Sequence, residues 1–89
     1  MNDNQMLELL KLNLQKMTSA DDNYLEKLIQ QAKALMTREG IVDDKTDDYA
    51  MAVIDYAAFL FRKRASKEMI MPRSLRLELN NILFSQKSK

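Results

Sequence analysis

Leu25, Leu28, Ile29, Ala32, Leu35 and Met36 fall at i, i+3, i+4, i+7, i+10 and i+11. That spacing gathers apolar side chains on one face of an α-helix. The stripe predicts a helix over residues 20–39. Its ends agree with the pattern. Ser19 with Asp22 three residues on resembles a capping box, with Asp in the Glu place. Asp21 and Asp22 suit the positive end of the helix dipole, and Arg38 suits the negative end. Gly40 then takes the C′ position, where φ > 0 is wanted.

Three more helices follow from the same reading. Met6, Leu10, Leu14 and Met17 form a stripe, widened by Leu7 and Leu9, over residues 4–16, with Asp3 as N-cap. Thr46, Asp47 and Asp48 open a third helix. Residues 49–61, YAMAVIDYAAFLF, carry one charge, Asp55, and otherwise only apolar types. A helix apolar all round is buried all round. Either the other helices surround it or a partner covers one side. Ala50, Ala52, Ala57 and Ala58 permit close approach. The last helix starts near Pro72, a residue favoured at N1. Leu75, Leu79 and Ile82 mark its inner face, with Leu77 and Leu83 beside it. Residues 85–89 read as a polar, mobile tail. The sum is an all-α fold: a compact bundle of about four helices with a central apolar third helix, one domain over residues 1–89.

Composition narrows the picture. One glycine and one proline in 89 residues argue against an all-β fold, which needs many turn residues. Apolar residues at 46% and charged residues at 30% fit an ordinary globular domain. There is no cysteine and no histidine. Disulfides, thiolate metal sites and Ser-His or Cys-His nucleophiles are therefore excluded. The amino terminus lacks the cationic opening of a signal peptide, and no apolar run approaches the roughly 20 residues that span a bilayer. The expectation is a protein with no cofactor, no metal and no enzymatic activity, made inside a cell and associated with no membrane.

Charge is polarised. Residues 21–48 carry eight acids and four bases, while residues 49–89 carry three acids and eight bases. A chain acidic in its middle and basic in its second half can pair acidic patch to basic patch between copies. The acids Asp43, Asp44, Asp47 and Asp48 read first as caps and solvated positions. Their spacing lacks the glycine and terminal glutamate of a calcium loop. Asp55 reads as a solvent-facing slot on the third helix, or as a buried or interfacial partner for an arginine. Arg62, Lys63, Arg64 and Lys67 follow the third helix. They complement its dipole, contact nucleic acid, or contact an acidic protein surface. Met69, Ile70 and Met71 beside them, in a loop before Pro72, favour a protein contact, since loop apolar residues must be tucked away or covered.

The order of features resembles the head–tail connector, or adaptor, proteins of long-tailed bacteriophages. MLELLKLNLQKM resembles the opening helix of that family, and DDNYLEKLIQQAKALMTREGI its second helix with the closing glycine. YAMAVIDYAAFLFRKR resembles the apolar third helix, which ends in an aromatic residue followed by arginine. MPRSLRLELNNIL resembles the proline-led final helix, and the likeness spans about residues 6–84. The connector between the second and third helices is short, and Ser74 stands where a glycine often follows the late proline. The resemblance implies a structural role in virion assembly. Copies would form an oligomeric ring of about a dozen subunits at the head–tail junction, assembled in the bacterial host cytoplasm. The ring would sit beneath the portal protein and extend the channel, through which genome DNA passes without sequence-specific binding. It would offer a docking surface to a stopper or tail-completion protein. Arg62, Lys63, Arg64, Lys67, Met69, Ile70, Met71 and Pro72 would then meet a neighbouring subunit or the portal, with the acids as the complementary patch.

Two other readings stand beside it. A small helical DNA-binding or regulatory protein would use the basic end with Arg73 and Arg76, and its binding would depend steeply on salt. A helical adaptor unrelated to phages would hold one partner helix in a groove and form no ring.

Overall fold

Leu10, Leu25, Ile29, Met36, Ile41, Val53, Ile54 and Leu79 are the largest side chains fully removed from solvent, and they come from all four helices and one connector. The computed structural model describes residues 2–15, 20–65 and 70–87. The helices are α1 (Asp3–Asn13), α2 (Asp22–Arg38), α3 (Asp47–Ala65) and α4 (Arg73–Lys87). Among the described residues there is no strand. The fold is an all-α bundle of four helices, flattened to 41 × 31 × 18 Å.

Helix α3 is the centre. It packs on α1, α2 and α4, while α1 also packs on α2. Tyr49, Ala50, Ala52, Val53, Ile54, Tyr56, Ala57, Ala58 and Phe59 are all buried, so the three other helices surround it. The alanines let those helices approach, and each fully buried Ile or Leu contributes about 1.5–3 kcal/mol. The stripe of α2 is buried at Leu25, Leu28, Ile29, Ala32 and Met36, with Leu35 partly covered.

Several boundaries differ from the sequence expectation. The N-cap of α1 is Asn2, not Asp3: Asn2 Oδ1 accepts from Gln5 N–H at 2.8 Å, and Asn2 N–H donates to Gln5 Oε1 at 3.0 Å. Asp3 instead accepts from Lys33 Nζ at 2.8 Å and Gln30 Nε2 at 3.3 Å, tying α1 to α2. Helix α1 stops at Asn13, not at residue 16, because Gln15 turns the chain with φ 58°. Helix α2 begins at Asp22, and its N-cap Asp21 makes no capping side-chain bond. Met17 and Ser19 lie outside the described residues. Lys11 Nζ sits 3.2 Å from Asp22 Oδ1, an ion pair by distance without hydrogen-bond alignment.

Pro72 is not N1 of α4. It precedes the helix, and its carbonyl accepts the first helical bond from Arg76 N–H at 3.1 Å. Leu77 is exposed at 49%, not beside the core with Leu83. Residues 85–87, expected in the tail, form the last turn of α4. Gly40 closes α2 with φ +92°, as its position implied.

Candidate functional site

The connector from Ile41 to α3 is built to deliver acids to one end of the bundle. Asp43 Oδ1 accepts from Lys45 N–H at 3.0 Å, and Asp44 Oδ1 accepts from Thr46 N–H at 3.1 Å and Thr46 Oγ1 at 2.6 Å. Thr46 Oγ1 in turn accepts from Tyr49 N–H at 3.2 Å, capping α3. Aspartates favour such local bonds to backbone two residues on. The hydroxyl of Thr46, chiefly, holds the Asp44 carboxyl below its ordinary 3.8. Asp47 and Asp48 follow in the first turn, on the positive end of the helix dipole.

Helix α4 runs antiparallel to α3 and fixes this end. The Gln86 carboxamide accepts from Val42 N–H at 2.9 Å, donates to Val42 C=O at 2.7 Å and reaches Asp44 Oδ2 at 3.3 Å. Near the other end, Arg76 Nη2 donates to Glu39 Oε1, joining α4 to the end of α2. A groove of about 620 Å³ opens between α3 and α4. Asp44, Asp48 and Glu78 give it charge, and Met51, Leu77 and Ile82 line it with apolar surface.

Asp55 is half-buried and lines one small cavity with Arg62 and Glu78. The antiparallel register places it against Glu78 of α4. Burial, then the hydrogen bond and charge of Asp55, push Glu78 from its ordinary 4.5 up to about 7. Asp48 adds a smaller push in the same direction. Glu78, Gln86 and Glu39 carry no motif. The one hint was an acid, Glu78, set between Leu77 and Leu79.

At the far end of α3 the bases are exposed but positioned. Arg62 Nη2 donates to Asn13 Oδ1 at 3.0 Å and to Asn13 C=O at 3.4 Å, bracing the end of α1. Lys63 Nζ lies 5.9 Å from the Phe59 ring centre, and the Arg64 guanidinium lies 4.7 Å from the Tyr24 ring centre. Such contacts hold a side chain in place without removing its charge from the surface. Ile70 is 83% exposed and Met71 packs partly against the core. Pro72 and Arg73 are exposed. Lys67 and Met69 lie outside the described residues. Thus Arg62, Lys63 and Arg64 cluster at one end of α3 and Asp43, Asp44, Asp47 and Asp48 at the other. Arg76 belongs to neither cluster.

Among the described residues, no group of three or more acids converges to hold a metal ion. No helix among them is long and apolar enough to cross a membrane. Comparison with protein-family models, curated proteins and solved structures gives no match.

Proposed function

We propose that the chain is a structural subunit whose copies join head to tail into a ring, acting as a phage head–tail connector beneath a portal. The observation that carries this reading is the placement of opposite charges at the two ends of one helix. From Asp47 to Arg64 of α3 is about 26 Å at about 1.5 Å per residue. A body with complementary patches at opposite ends joins its copies heterologously, and a closing rotation gives a ring. The sequence resemblance supplies the setting: the portal above, a stopper or tail-completion protein below, and DNA passing through without base readout. The role needs no catalysis and no cofactor.

The nucleic-acid alternative has less support. Arg76 is ion-paired with Glu39, and the outer side of α4 borders the acids Asp44, Asp48 and Glu78. A DNA-binding face needs a basic stripe without such acids.

Native mass spectrometry over a range of concentrations, with negative-stain images of large species, tests the proposal. Closed rings that weaken as salt rises are expected, since the contacts are charged. A strict monomer at every concentration would overturn self-assembly. Tight duplex-DNA binding by that monomer, with a steep salt slope, would favour the rival.

A further inference from the structure

We propose that the groove between α3 and α4 is the socket for the basic corner of a second copy of this chain. The inference rests on the head-to-tail reading above and gives it a contact. The socket offers three carboxylates, Asp44, Asp48 and Glu78, over the apolar side chains of Met51, Leu77 and Ile82. Met51 is 41% exposed and Leu77 49% exposed, although both are large and apolar. The corner offers three exposed cations, Arg62, Lys63 and Arg64, with Ile70, the most exposed of the large hydrophobic residues described. Each side therefore pairs charge with apolar surface, in opposite sign.

Position makes the contact intermolecular. The socket runs along the first half of α3, and the corner sits at its last turn. Glu78, at the near end of the socket, shares a smaller cavity with Arg62 of its own chain, but the rigid helix holds Asp48 about 21 Å from Arg62, at about 1.5 Å per residue, so a corner reaches the Asp44–Asp48 end only in another copy. The corner cations are also held in place, Arg62 by Asn13 and Arg64 by Tyr24. Docking then orders few additional rotamers, which lowers its entropic cost.

The test uses two charge-reversed chains. One carries Asp48→Lys and Glu78→Lys, removing the socket; the other carries Arg62→Glu and Arg64→Glu, removing the corner. Sedimentation velocity on each alone should show association weakened roughly tenfold or more, since reversal sets like charges against each other across the contact. Mixed together, the two chains should associate again, because the intact corner of one meets the intact socket of the other and the reversed socket meets the reversed corner. A chain carrying all four substitutions should regain self-association, which separates lost contact from lost fold. Circular dichroism confirms that each chain is helical. Rings formed normally by the socket variant would overturn this inference and leave the ring reading standing. A wild-type chain that stays monomeric would overturn both.

Discussion

Gly40 and Gln15 occupy the same kind of position, and only one of them is a glycine. Gly40 follows α2 with φ +92°, and Gln15 follows α1 with φ 58°. A side chain at positive φ costs about 1–2 kcal/mol. A Cβ added at Gly40 would meet Leu83 Cδ1 at 3.5 Å, an ordinary contact. Gly40→Ala should therefore destabilise through backbone strain alone, by about 1 kcal/mol in urea unfolding. Gln15→Gly should raise stability by about 0.5–1 kcal/mol in the same measurement. A midpoint that falls on Gln15→Gly would show that the turn is not strained. The same contrast explains which helix ends could be read from sequence. Glycine announced the end of α2. Glutamine gave no sign that α1 stops at Asn13, so the stripe through Leu14 suggested a longer helix. Asn2 and Gln5 did carry a cap signal, one residue before the Asp3 that had the more obvious carboxylate.

Helix α4 is the element with the least support. Its principal packing is on α3, through Leu75, Leu79 and Ile82. Leu79→Ala should cost about 2–5 kcal/mol, as a large buried side chain leaves a cavity. Leu77→Ala should change stability by no more than about 0.5 kcal/mol, since Leu77 faces the groove. Equal losses at both positions in thermal unfolding would contradict this orientation. The two leucines also mark the limit of periodicity. Leu75, Leu79 and Ile82 were recognisable as one face from their spacing, whereas residues two apart point to opposite sides of a helix. The partners of α4 were not legible for a different reason. Glu78 meets Asp55, Arg76 meets Glu39 and Gln86 meets Val42 only because α4 lies antiparallel to α3 in one register. That register is a product of packing and has no local sequence signature.

At the scale of the molecule, the seam between α3 and α4 links folding to pH. Glu78 titrates near 4.5 in the unfolded chain and near 7 when folded, with burial and then Asp55 as the causes. Between those values the native state holds more protons than the unfolded state, so stability falls as pH rises. The contribution is full below pH 4.5 and lost above about pH 7. At about 1.4 kcal/mol per pH unit the nominal effect is about 3 kcal/mol. Glu78 is only partly buried, so screening by water and salt reduces this to about 1 kcal/mol. The other charged groups around it are Asp55, Asp48 and Arg62 from α3 and Asp44 from the connector before it. Asp3 and Asp44 are held below 3.8 and act in the opposite sense at lower pH, so they leave this window clear. Glu78→Gln should remove most of the difference in melting temperature between pH 5 and pH 8, chiefly by raising the value at pH 8. Parallel pH profiles for the two proteins would exclude Glu78 as the source. The same ionisation works the other way on assembly. Above pH 7 the groove gains a negative charge, so association with a basic corner should strengthen as the monomer itself becomes less stable. Sedimentation velocity at pH 6 and pH 8 would read that gain, and Glu78→Gln should abolish it.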